Sequence, residues 1–324
     1  GIAFDASSSY EATELLAMGM AGDTISLSSQ QPAHNLDELL SAGVRYVATS
    51  LHQLELYRAS PVHPQTVGLR VNPGIGSGHN NRTTTGGRNS SFGLWHSYVP
   101  DALALAARSD VMIDRLHVHV GSGADPAVWG TVIDTALEIV DTMPDVTILD
   151  IGGGFKIHRY SDEQETDIAA VAQVFAGRLR DYHQRTGRAL RLEIEPGTWL
   201  VAHAGILKTE VVDVVDTGKD GYTFLRVNTG MNDILRPSMY GAQHAMKIEN
   251  ESPTQREYVV VGHNCESGDI LTPARGDSEG IEPRLLNEAA IGDVLTISDT
   301  GAYCQSMSAK GYNSYPDAET IFVD

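Results

Sequence analysis

Along the first two-thirds of the chain, short apolar, β-branched-rich runs alternate with longer stretches of helical spacing. Val44–Thr49, Val67–Asn72, Asp114–Val120, Val146–Ile151 and Arg191–Glu195 predict strands. Ser8–Met18, Leu51–Ala59, Pro100–Arg108, Pro126–Asp141 and Asp167–Thr186 predict helices, the first opened by a serine suited to capping. Regular alternation of this kind predicts parallel strands joined by crossover helices. Near Leu207 the pattern changes. Lys208–Val215, Tyr222–Asn228, Glu257–Gly262 and Asp293–Asp299 read as strands without helices of similar length, with turn-like breaks at Asp216–Gly221 and Ala290–Gly292. The expectation is an α/β barrel-type region over residues 1–206 and a mainly antiparallel β domain over 207–324. His79–Ser91, polar and glycine-bearing, is the most loop-like segment and a candidate for closing over a substrate.

Composition narrows the partners. A net charge of −19 repels phosphate backbones and anionic membrane surfaces, so nucleic acid and membrane are not expected partners. No apolar run approaches the ~20 residues of a membrane span. Two cysteines, Cys265 and Cys304, form no disulfide framework and fit a reducing cytoplasm. The chain opens without a Met or a basic, apolar leader, so its natural N-terminus is expected upstream.

Three motifs follow predicted strands directly: HVHVGSG (His117–Gly123), DIGGGF (Asp150–Phe155) and EIEPGT (Glu193–Thr198). In a β/α barrel, the C-terminal strand ends build the active site. Consecutive glycines let backbone N–H groups approach a phosphate, and Ser122 can add a hydroxyl. A flat histidine can stack on a ring, and a carboxylate can keep a pyridinium nitrogen protonated so that the ring acts as an electron sink. Each motif alone has a plainer reading. GGG is more often an ordinary turn, His117 a core residue or half of a metal site, and Glu195 an ion-pair partner. Together they point to a phosphorylated aromatic cofactor, and no metal is expected.

With CESGD (Cys265–Asp269) and DTGAY (Asp299–Tyr303) following in order, the chain resembles the fold-type III pyridoxal-phosphate decarboxylases, whose alanine-racemase-type barrel precedes a β domain. GMNDILRPSMYG (Gly230–Gly241) and SMSAKGYNS (Ser306–Ser314) make it most similar to the diaminopimelate decarboxylases. The resemblance implies that His119 stacks on the pyridoxal-phosphate ring and Glu195 pairs with its nitrogen. Ser122, Gly153, Gly154, Gly197, Thr198 and Tyr303 would border the phosphate. Arg236 and Tyr240 would bind the distal carboxylate of the substrate, with Tyr303 beside it. Cys265 would return a proton after carbon dioxide leaves, and Glu266 would contact the substrate amine. Both would come from the partner of a homodimer. A thiol beside a cationic cofactor is chemically suited to that role. A lone cysteine is more often a small buried hydrophobe, which is the reading for Cys304.

Two departures qualify the resemblance. The lysine that links the family's cofactor covalently should precede Phe4–Ser7, and none of Lys156, Lys208, Lys219, Lys247 or Lys310 matches it. The expectation is a stretch incomplete at its N-terminus; a lysine-less, non-catalytic binding or regulatory subunit is the alternative. The second is Thr198, where diaminopimelate decarboxylases commonly carry an arginine for the distal carboxylate. Arg82 or Arg88 in the polar loop is a candidate substitute. A decarboxylase of D- or L-lysine or ornithine, and less so a racemase, are therefore rivals to decarboxylation of meso-diaminopimelate to L-lysine.

Overall fold

In a computed structural model of the chain, residues 2–77, 85–160 and 163–323 are described. They divide into two compact units: residues 1–155 with 166–196, and residues 156–165 with 197–324. The division after Pro196 lies ten residues before the boundary expected from the pattern change. The reason is local: Trp199 and Ala202 pack with Ile157 and Ala302, all of the second unit. The segment after the triple glycine, 156–165, belongs to the same unit.

The first unit holds strands β1 (Phe4–Ala6), β2 (Ile25–Leu27), β3 (Arg45–Ala48), β4 (Thr66–Asn72), β5 (Leu94–Trp95), β6 (Met112–His117), β7 (Ile148–Asp150) and β8 (Arg191–Glu193). They form one sheet in the order β1-β2-β3-β4-β6-β7-β8, with β5 beside β4. Every pairing is parallel. Helices α1 (Ser9–Ala17), α2 (Leu36–Ser41), α3 (Leu51–Ala59), α4 (Val99–Ala107), α5 (Pro126–Asp141) and α6 (Ile168–Thr186) supply the crossovers.

Their ends are written in the sequence. The hydroxyls of Ser8 and Ser50 accept N–H bonds from Glu11 and Gln53, and the carboxylates of Asp125 and Asp167 do the same for Ala127 and Ala170. Pro126 opens α5, and Gly187 closes α6 in the left-handed conformation. Trp129 of α5 stacks on Phe155 at 4.3 Å and meets Phe175 of α6 edge-on. That cluster fixes the chain just beyond the glycines.

The second unit opens with α7 (Gly197–Val201), followed by β9 (Leu207–Asp216), β10 (Thr223–Val227), α8 (Arg236–Tyr240), β11 (Met246–Ile248), β12 (Gln255–Val261), β13 (Pro273–Ala274), β14 (Asp277–Ile281), β15 (Arg284–Asn287) and β16 (Val294–Ile297). Six of these strands form a sheet in the order β11-β16-β9-β10-β12-β15; β13 and β14 pair separately. The sheet is mainly antiparallel, as the strand pattern predicts, with one parallel pair, β10 and β12. Alternating residues Val211, Leu225, Val227, Tyr258, Val260, Leu295 and Ile297 make its core. Cys304 sits in that core, the small buried hydrophobe expected of it.

Candidate active site

In the first unit the expected residues converge at the C-terminal ends of β6, β7 and β8. β6 ends at His117, three residues before the end predicted at Val120, so His119 lies on the loop beyond. The N–H of Gly153 donates to His119 Nδ1 (2.9 Å), and the N–H of Gly152 donates to the Asp150 carboxylate (3.0 Å). Glu195 in turn donates its N–H to the Gly152 carbonyl. The loops after three strands are thus tied through the triple glycine.

The glycines are sterically required here. Gly152 and Gly154 have positive φ. A Cβ would overlap the His119 ring at Gly152, the Glu195 carbonyl at Gly153 and the Gly121 carbonyl at Gly154. Gly123 donates its N–H to the Gly154 carbonyl, and Ser122 to that of Ser77. This places Ser122 beside the glycines.

Below this loop cluster lies a charged layer that sequence reasoning missed. Buried Arg115 reaches Glu193 (2.7 Å) and Asp150 (3.6 Å). His117 Nε2 lies 3.3 Å from Glu195 Oε1, and His117, Asp150 and Glu195 offer ligand atoms within 4.8 Å of one another. The histidine that groups with carboxylates is therefore His117, while His119 pairs with backbone. A signal for Arg115 existed: an arginine in the middle of a predicted strand, between Asp114 and Leu116, must find an anion when the strand is buried.

Burial, then Arg70, pushes His119 down to about 3, so its ring is neutral and Nδ1 accepts. Burial and the same kind of cationic neighbours push His117 well below its usual range. Burial, then Asp150, raises Glu195 well above the usual carboxylate range. Oε1 of Glu195 is buried without a hydrogen-bond partner among the described residues. A carboxyl group short of a donor, a neutral ring beside it and a glycine-lined loop end suit an aromatic, nitrogen-protonated phosphate ester.

The second unit carries the other expected residues. Gly197 and Thr198 open α7, and nothing lies within 4 Å of where a Gly197 Cβ would stand. Arg236 and Tyr240 sit one turn apart on α8. Arg236 Nη1 donates to His244 Nε2 (2.9 Å), and His244 Nδ1 donates to the Ser298 carbonyl (2.9 Å). Burial, then Arg236, pushes His244 down to about 3, which keeps Nε2 an acceptor.

CESGD is a tight loop. Asp269 accepts N–H bonds from Met231 and Asn264, and Glu266 accepts from Gly268 N–H and the Tyr312 hydroxyl (3.1 Å). Cys265 is exposed, with its N–H held by the Asn313 side chain. Tyr303 is largely exposed and has positive φ. Of the polar loop, residues 79–84 lie outside the described residues, Arg82 among them. Arg88 is exposed.

Comparison with known proteins agrees with this geometry. The pyridoxal binding domain of the pyridoxal-dependent decarboxylases matches residues 1–202. The chain belongs to this family, and its cofactor is pyridoxal phosphate. Within it, the chain is 34% identical to the diaminopimelate decarboxylase of Streptomyces coelicolor over all of its own length and 75% of that protein's. It is 37% identical to that of Escherichia coli over 83% of its length and 64% of the relative's. A crystal structure of a diaminopimelate decarboxylase superposes with a TM-score of 0.87 at 34% identity, covering 96% of this chain and 76% of the other. The Helicobacter pylori enzyme complexed with L-lysine gives 0.81 at 26% identity, over 95% and 76%. No helix among the described residues is long and apolar enough to cross a membrane.

Proposed function

We propose that this chain catalyses the decarboxylation of meso-diaminopimelate to L-lysine. The observation that carries the cofactor half of this reading is Glu195, a half-buried carboxyl whose shielded Oε1 has no hydrogen-bond partner among the described residues, at the glycine-lined ends of the parallel strands. The substrate half is supported by Arg236, fixed by His244, with Tyr240 one turn away.

Bound pyridoxal phosphate supplies the electron sink that lets a carboxylate leave from the α-carbon. The chain's own residues do the rest. His119, neutral and anchored by the Gly153 N–H, presents its ring to the cofactor. Glu195 would hold a proton at its pyridine nitrogen. Ser122, Gly153 and Gly154 would hold its phosphate, and Gly197, Thr198 and the Tyr303 hydroxyl would serve the same group. Arg236 and Tyr240 orient the distal carboxylate, while Glu266, shaped by Tyr312 and Gly268, faces the substrate amine.

The Cys265 thiol donates the proton that replaces carbon dioxide. Its exposure in the single chain supports a homodimer in which Cys265 and Glu266 complete the partner's site. Mixing an inactive Cys265→Ala protein with an inactive Glu195→Ala protein is expected to restore activity through hybrid dimers. No restoration after subunit exchange would refute shared sites. The assignment itself is tested by carbon dioxide release from meso-diaminopimelate, lysine and ornithine with the full-length protein. Release from lysine or ornithine alone would overturn it.

A further inference from the structure

Thr198 leaves a dicarboxylic substrate one guanidinium short, and the second unit holds a candidate for it. Arg159 lies on the segment that follows the triple glycine and clusters with this unit. It is half-buried, and its Nε and Nη2 atoms are shielded from water without a hydrogen-bond partner among the described residues. Those two atoms form one edge of the guanidinium, whose parallel N–H groups match the two oxygens of a carboxylate. Leaving that edge dry and unbonded is costly, and an incoming anion removes the cost.

Its surroundings are cationic. Burial lowers Arg159 to about 10, and Arg236 is the largest charged influence on it. The hydroxyl of Tyr160, the next residue, donates to the His244 carbonyl (2.6 Å), which brings this segment against the residue that positions Arg236. The nearby carboxylates are engaged elsewhere. Glu163 accepts the backbone N–H of Arg159 (2.7 Å), and Asp299 is held by His203 (2.5 Å). Two neighbouring guanidinium groups, one fixed by a neutral histidine and one with an open edge, form a site for a carboxylate.

We propose that Arg159 is the second guanidinium of the distal-carboxylate subsite and, with Arg236, selects a dicarboxylic amino acid where Thr198 cannot. This rests on the diaminopimelate reading. Arg159 is a specificity residue and takes no part in proton transfer.

The test uses full-length holoenzyme, with Arg159→Gln, Arg159→Lys and Arg88→Gln compared against the parent. Two readouts are needed: steady-state kinetics on meso-diaminopimelate, and calorimetric binding of pimelate, a seven-carbon dicarboxylate probe. Loss of one charge-assisted contact is expected to raise KM for diaminopimelate and weaken pimelate about tenfold or more in Arg159→Gln. kcat and cofactor absorbance are expected to stay close to the parent's. Arg159→Lys recovers part of the loss, and adding Thr198→Arg to Arg159→Gln recovers most of it. Unchanged KM and pimelate affinity in Arg159→Gln would overturn the proposal, as would transfer of the effect to Arg88→Gln. Failure of the parent on diaminopimelate sinks the substrate reading separately, and the pimelate measurement still decides the role of Arg159. A parent that binds no pimelate overturns it.

Discussion

Glu195→Gln keeps the size of the side chain and removes its ability to carry charge. Burial, then the Asp150 carboxyl, raises Glu195 well above its ordinary range, so the folded, cofactor-free chain retains a proton there that the unfolded chain releases. Asp150 is raised by burial as well. A folded-state pKa above the unfolded value contributes stability that is complete below the unfolded value of 4.5 and fades as pH rises through the folded value.

Each unit of difference amounts to about 1.4 kcal/mol. Glutamine never ionises, so the cofactor-free variant should match or exceed the parent's stability at pH 7. Its stability should also vary less with pH above 4.5. With cofactor the order reverses. The variant loses a hydrogen bond to a charged nitrogen, about 1.5–3 kcal/mol, or about 10- to 150-fold in cofactor affinity. Urea midpoints at pH 5, 6, 7 and 8 measure the first effect, and titration with pyridoxal phosphate the second. A cofactor-free variant weaker than the parent by more than about 1 kcal/mol at pH 7 would refute the protonation argument. Unchanged cofactor affinity would refute the pairing.

Three further outcomes follow from the same geometry. Gly154→Ala combines a left-handed backbone with overlap of the Gly121 carbonyl, so unfolding should show a loss of about 2–5 kcal/mol; a loss below about 1 would mean the loop relaxes freely. Arg115→Met strips the cation from Asp150 and Glu193 and should cost about 3–5 kcal/mol in urea denaturation, with retained stability counting against a pairing role. Cys265→Ser should lower kcat about 10²- to 10⁴-fold with little change in cofactor binding, and an unaltered kcat would move the proton donor elsewhere.

Much of the site was legible because its residues are of kinds that are rarely spent on packing alone. Glycines at strand ends, a histidine on a loop and a carboxylate before proline each stand out against an apolar strand, and the structure gathers His119, Ser122, Gly153, Gly154 and Glu195 as that pattern implies. The strands β1 and β2 were not read from periodicity, since three residues carry no period, and the six residues of α2 make fewer than two helical turns. His119 was placed on a strand because alternation continues through Val120, whereas pairing with β7 ends at His117. Arg159 and His244 had no local signal at all. Their significance arises from proximity to Arg236, to which sequence spacing gives no guide. The unit boundary moved to Pro196 for a similar reason: Trp199 and Ala202 find their partners in Ile157 and Ala302, which are distant in sequence.

The close packing of the triple glycine also bears on how this site can change over generations. Glycine codons begin with two guanines, and any base change at either position brings in a side chain or ends the chain. At Gly152, Gly153 and Gly154 each such side chain would strike another loop of the same site. No single-base route leads away from these three positions without a clash. Variation in substrate choice is therefore expected to accumulate where side chains have room to differ, at positions such as Thr198 and Arg159, while the loop that faces the cofactor stays fixed.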